Sequence, residues 1–254
     1  MDWNVERYNK TCSGVTERGI ELIEYIKKSE CNKVLDLGCG TGVLTNEISK
    51  FTNDVIGIDS SPAMVEKAKT SYPYLKFYLM DACSLEWNNY FDTVFSNAVF
   101  HFIMSQNILL NSINKSLKLN GILITEFGAF GNIIDLINAI AQVCERRGKK
   151  FKLRFYYPKL EEYEQLLKKN GFSTKTINIQ KLDTKLPNGE SGIRNWINQV
   201  FQVELDWFTL SEREEVLIEI ENSLRANYWD GINWHLTNYR LFVMARKTNE
   251  IEES

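Results

Sequence analysis

Nine residues constrain this chain more than any other feature: Val34-Leu35-Asp36-Leu37-Gly38-Cys39-Gly40-Thr41-Gly42. Three glycines at alternate positions follow directly on an apolar strand pattern and lead directly into a helical one. Without side chains the backbone can turn sharply there and let a ligand come within contact distance of its N–H groups. Seventeen residues past Gly42, at the end of a second apolar run, stands Asp59. In open α/β sheets a carboxylate at that point accepts the hydroxyl hydrogens of a ribose. Turn and acid together describe a nucleoside-binding crevice at the switch point of a doubly wound sheet. The competing reading is a purely structural turn.

The rest of the chain follows the same alternation. Strands are predicted at Lys33–Leu37, Asp54–Asp59, 76–80, Phe91–Asn97 and 121–127, with a helix at 43–50 between the first two. Ser61 fits an N-cap and Pro62 the first position of the next helix. Ile20, Ile23 and Ile26, with Leu22 beside them, give an earlier helix its apolar stripe. Past residue 130 come helices around Ile133–Cys144 and Tyr163–Leu167, a strand at 173–180, two amphipathic helices within 191–228 and a last strand at 239–246. With 254 residues, 44% of them hydrophobic and 25% charged, the chain can bury a substantial core as one elaborated domain over 1–254. Its cofactor-binding core spans about 30–130, with helical cap elements at about 1–29, 131–170 and 188–230. A net charge of −3 provides no field for nucleic acid or an anionic membrane, so neither is an expected partner. The five cysteines are scattered with no CxxC pair, which fits free thiols in the cytoplasm and argues against a metal site. No run of 18 apolar residues suggests a membrane span.

The glycine spacing also selects among nucleosides. A dinucleotide fingerprint is GxGxxG with a helix N-terminus aimed at pyrophosphate. Here it is GxGxG, and Asp36 lies two residues before the first glycine, where it would repel pyrophosphate and attract an ammonium. An ammonium beside an adenosine suggests S-adenosylmethionine.

Asp36–Gly42 resembles motif I of the class I S-adenosylmethionine-dependent methyltransferases. Asp59, opening Asp-Ser-Ser-Pro-Ala-Met, resembles that family's ribose-binding acid, and Asp81-Ala82-Cys83 its adenine-contacting segment. Residues 91–101 resemble its motif IV, and Gly121-Ile122-Leu123 its Gly-Gly-x-Leu strand, although Asn120 replaces the first glycine. The resemblance implies an α/β fold: a doubly wound, seven-stranded, mostly parallel sheet with an antiparallel last strand and a helical insert capping the active site. It implies S-adenosylmethionine as cofactor, held by Asp36, Gly38, Cys39, Gly40, Asp59, Ser60, Met64, Asp81, Ala82 and Asn97. His101, just past the fourth strand, is the candidate catalytic residue, either a base or a packing residue on the rim. The motif IV segment Ser96-Asn97-Ala98-Val99 lacks the Pro-Pro-aromatic signature of enzymes that methylate bases or amides, which leaves a small-molecule acceptor. The Phe155-Tyr156-Tyr157-Pro158 turn and the insert at 191–228 resemble the trans-aconitate and malonyl-carrier-protein methyltransferase subgroup. Tyr8, His101, Arg194 and Trp196 are the candidate acceptor-binding residues, against plain packing for Trp196 and a solvated Arg194. The basic run 146–154 reads as a solvated helix end, and His235 as structural. O-methylation, with a carboxylate favoured, leads over N- or C-methylation and over a non-catalytic protein that binds the cofactor or S-adenosylhomocysteine.

Overall fold

The computed structural model describes residues 13–27, 32–52 and 54–248. One sheet of seven strands takes the order β3-β2-β1-β4-β5-β7-β6. The strands are β1 (Lys33–Leu37), β2 (Asp54–Asp59), β3 (Lys76–Leu79), β4 (Phe91–Asn97), β5 (Leu117–Gly128), β6 (Phe172–Lys185) and β7 (His235–Lys247). All pairings from β3 across to β5 are parallel, and β7 runs antiparallel to both β5 and β6. The doubly wound α/β sheet expected from the sequence is therefore present. Its strand order reverses at β1, so a crevice opens beyond the C-terminal ends of β1, β2 and β4, where such sheets bind ligands.

Central strands must be apolar on both faces because helices cover both. Leu35, Leu37, Ile56 and Ile58 pack into one layer, and Val34, Val55, Phe95 and Ile124 into the other. The second layer is closed by α1 (Ser13–Lys27) through Leu22, Ile23 and Ile26. Ile20 does not join that stripe as expected and is 45% exposed. Its place on the inner face is taken by Gly19, where an added Cβ would stand 2.3 Å from the Leu44 side chain. The first turn of the sheet leads into α2 (Val43–Ile48), and β2 into α3 (Pro62–Ser71). At the start of α3 the Ser61 hydroxyl accepts the Met64 N–H, with Pro62 at the first helical position.

Beyond α4 (Gln106–Ser116), α5 (Ile134–Arg146) and α6 (Leu160–Lys169), the chain builds a cap between β6 and β7. Residues 191–228 hold three helices rather than the two expected: α7 (Gly192–Val200), the single-turn α8 (Gln202–Leu205) and α9 (Leu210–Tyr228). Ile193, Ile197, Val216 and Ile220 of the cap pack on Leu136 and Ile140 of α5 and on the buried Trp234. The last two strands are longer than their apolar cores: Lys181–Tyr239, Asp183–Thr237 and Lys185–His235 continue the pairing past residue 180. That extension is polar on its outer face, which is why alternation of apolar residues ends before the pairing does. It lifts Leu182, Thr184, Leu186 and Pro187 over the crevice as a wall. No described helix is long and apolar enough to cross a membrane.

Candidate active site

The turn after β1 is held by its backbone. The Gly38 and Cys39 N–H groups both donate to the Ile58 carbonyl at 2.8 Å. Gly38 adopts φ +76°, and a Cβ there would stand 2.3 Å from the Val99 side chain. At Gly40, φ +54°, an added Cβ would enter open space, so here the missing side chain leaves room for a ligand rather than for the protein. Asp59 ties the end of β2 to this turn: Oδ2 accepts the Gly40 N–H at 2.9 Å and Oδ1 the Ser61 N–H at 2.8 Å. Burial raises the Asp59 pKa against these two bonds. Asp81 caps the short turn at Ala82–Ser84, accepting the Cys83 N–H at 2.8 Å.

A cavity of about 580 Å³ opens over these groups. Gly38, Gly40, Asp59, Ser60, Met64, Asp81, Ala82, Asn97, His101 and Trp196, all singled out from the sequence, line it together. Asp36, Cys39 and Arg194 do not. Cys39 turns away to pack with Val65, Ala68 and Phe77. Asp36 is buried beneath the turn, where its Oδ2 accepts the Thr45 hydroxyl at 2.6 Å and burial pushes its pKa up to about 7. Arg194 lies on the outer side of α7, forked onto Glu221 at 2.9 Å and reaching Glu214 at 2.7 Å. Residues two apart on a helix face away from each other, so Trp196 and Arg194 could not both enter the cavity. Arg194→Leu is accordingly expected to leave cofactor affinity and acceptor KM unchanged within about twofold, at under about 1 kcal/mol of stability for two partly exposed ion pairs; steady-state kinetics and a melting curve check this. Tyr8 lies outside the described residues.

Three arginines at the cavity and the buried acids that pair with them carry no sequence motif. Glu126, on β5, is fully buried. Arg18 of α1 forks onto it with Nε and Nη2 at 2.7–3.0 Å, and Arg240 of β7 approaches it with Nε at 3.5 Å. Both guanidiniums line the cavity, as does Arg154, which is forked onto the buried Glu204 at 2.6 and 2.9 Å. The basic run thus divides: Arg146 and Arg147 pair with Glu215 and Glu219 on α9, while Arg154 reaches inward. Arg240 is legible as the cation immediately before the apolar run 241–245 of the last strand.

His101 shares this end of the cavity. Its Nδ1 accepts the Gly128 N–H at 3.3 Å, which assigns the proton of the neutral ring to Nε2. Burial, aided by the charge of Arg240, holds its pKa well below the ordinary histidine value. The ring is therefore a neutral hydrogen-bond donor. A base would need a free nitrogen lone pair and a stable imidazolium, and this environment provides neither. Tyr157, with its pKa pushed up by burial to about 12, is likewise a protonated donor near neutral pH. His235, by contrast, lies between Asp183 and Asp230 on the ribbon beyond the cavity, consistent with a structural role.

Fold and site together define a class I S-adenosylmethionine-dependent methyltransferase. Residues 35–125 match the methyltransferase domain family, and the protein is an S-adenosylmethionine-dependent methyltransferase. It is similar to an uncharacterized methyltransferase of Schizosaccharomyces pombe, 29% identical over 79% of this chain and 80% of that protein. It is also similar to a trans-aconitate 2-methyltransferase of Enterobacter sp., 25% identical over 86% and 89%. A malonyl-[acyl-carrier protein] O-methyltransferase of Ilyobacter polytropus is 32% identical over 59% of this chain and 56% of its own. Among solved structures, the YcgJ protein of Bacillus subtilis shares the fold with a TM-score of 0.64 at 17% identity, covering 92% of this chain and all of its own.

The cofactor of this class is S-adenosylmethionine, and the residues present fit it. The space over Gly40 is open. Asn97 lines the cavity; its side chain donates to the Val15 carbonyl at 2.7 Å, while its buried Oδ1 has no partner among the described residues. A buried acceptor without a donor is costly for the protein alone, and a ligand ammonium would complete it. The volume also suits a nucleoside cofactor plus a small acceptor.

Proposed function

We propose that this enzyme methylates a carboxylate oxygen of a small molecule. The observation that carries this is the set of groups at the acceptor end: the Arg240 guanidinium, only partly neutralised by Glu126, beside the neutral donors His101 and Tyr157. S-adenosylmethionine supplies a methyl carbon on a sulfonium, an electrophile that requires alignment with a nucleophile rather than activation of its leaving group. A carboxylate, with a pKa of about 4, is ionised at neutral pH and needs no base. A phenol or an ammonium must first lose a proton, and among the described residues no group at the acceptor end is poised to take it. Arg240 holds the acceptor carboxylate in its planar fork, while the His101 Nε2–H and the Tyr157 hydroxyl orient it. The names of the trans-aconitate and malonyl-carrier-protein relatives support the same reading.

On the cofactor side, Asp59 accepts from the ribose hydroxyls, Asp81 and the Ala82 N–H take the adenine edge, and Asn97 accepts from the amino group. Asp36 acts on that ammonium from below, as the nearest buried acid under the turn. With its pKa at about 7, Asp36 holds a proton in the free protein that an adjacent cation would expel. Cofactor binding is therefore expected to strengthen about fivefold between pH 6 and pH 7 and then level off, with uptake of the cation releasing a proton. Titration calorimetry in buffers of different ionisation enthalpy reads both; a flat affinity over this range with no proton release contradicts the role of Asp36. The proposal includes a single domain over 1–254 working in the cytoplasm. It is tested by following a labelled methyl group into a base-labile ester.

A further inference from the structure

The charges that line the cavity also bound the charge of the acceptor. Arg154 is matched by Glu204, which is 2% exposed and forked onto it. Arg18 and Arg240 share the single buried carboxylate of Glu126, and Arg18 also pairs with the exposed Glu21 at 2.5 Å. Lys185 is exposed at the rim, and Asp59 and Asp81 belong to the nucleoside end. Among the described residues, the buried acceptor end therefore offers a ligand at most one incompletely paired positive charge, that of Arg240, whose contact with Glu126 is the longer one at 3.5 Å. A second or third ligand carboxylate would find no partner there, and an unpaired buried charge is strongly disfavoured. The rest of the cavity beyond the nucleoside end is lined by the apolar Phe155, Leu186, Trp196, Val200, Val203 and Leu236, with the uncharged Asn132, Thr184 and Asn238. The rings of Phe155 and Tyr157 lie 5.8 Å apart and Trp196 packs 6.2 Å from the buried Phe201, so Phe155, Tyr157 and Trp196 give the lining an aromatic share.

We infer that the acceptor is a monocarboxylic acid with an apolar, preferably aromatic, body, and that this site discriminates against polycarboxylates. The inference rests on the carboxylate reading above and narrows it. Carboxylate and body have separate determinants: Arg240 sets the charge, and the Trp196 face of α7 sets the apolar fit. A free tricarboxylate of the trans-aconitate kind, named for one of the relatives, falls outside this class.

The test is binding rather than turnover. Purified full-length protein saturated with S-adenosylhomocysteine is titrated calorimetrically with three probes: 4-phenylbutyrate, its uncharged amide and citrate. The expected result is that 4-phenylbutyrate binds at least about tenfold more tightly than either of the others. Trp196→Ala is expected to weaken 4-phenylbutyrate and the amide by the same factor, about threefold or more, leaving their ratio unchanged. If the acid and its amide bind equally, or the acid does not bind, the carboxylate reading fails and this inference with it. If the acid is preferred over the amide but citrate binds as tightly as the acid, the carboxylate reading stands and this inference is overturned. The probe comparison uses the native chain, so it does not depend on how well any variant folds.

Discussion

Asp59→Ala is expected to weaken S-adenosylmethionine binding by at least about a hundredfold. Each charge-assisted hydrogen bond from a ribose hydroxyl to a buried carboxylate contributes about 1.5–3 kcal/mol, and two are lost together. The substitution also releases the Gly40 and Ser61 N–H groups that the two carboxylate oxygens hold at 2.9 and 2.8 Å. The glycine turn then loses its tie to the end of β2, and the loss exceeds that of the ribose contacts alone. Asp59→Asn keeps the shape and one acceptor oxygen, so it should lie between the two, at about tenfold. Calorimetric titration of the folded variants measures this directly. An alanine variant that binds within about threefold of the native chain would remove Asp59 from the cofactor site.

Arg240→Gln is expected to raise the acceptor KM by about a hundredfold or more while leaving the cofactor Kd within about twofold. Removing one partner of a desolvated ion pair costs about 2–5 kcal/mol, much of it from the charge left unpaired. The fold should tolerate the change because Glu126 remains forked onto Arg18 with three contacts of 3.0 Å or less. Arg240→Lys keeps the charge without the planar fork and should recover part of the loss. A fall in kcat with an unchanged KM would mean that Arg240 acts after the acceptor is bound, which is not the role assigned to it.

The cofactor half of this enzyme is legible in the sequence because its chemistry is local. Gly38, Gly40, Asp59 and Asp81 sit on strand ends and turns whose positions follow from the βα alternation, and each faces the crevice wherever the rest of the chain goes. Even there the direction of a side chain is harder to read than its place. Cys39 and Asp36 stand in the same turn as the glycines, yet one packs against α3 and the other lies beneath the turn bonded to Thr45.

The acceptor half is assembled from residues far apart in the chain, and periodicity does not report it. Arg18, Glu126 and Arg240 come from α1, β5 and β7, and only the sheet order brings them together. His101 was visible as a candidate, but its tautomer depends on the Gly128 N–H, 27 residues away. Trp196 and Arg194 are close in sequence, but helical geometry sends them to different sides of α7. The polar extensions of β6 and β7 hid for a related reason: their backbones pair, but the face that makes them strands covers a cavity rather than a core.

The most direct test of carboxylate methylation is to incubate the purified protein with methyl-labelled S-adenosylmethionine and a size-separated cell extract. The labelled fraction is then treated with mild base. The label is expected in small molecules and is expected to leave as methanol, as a carboxyl methyl ester requires. Base-stable label in small molecules, or label confined to macromolecules, would contradict methylation of a small-molecule carboxylate.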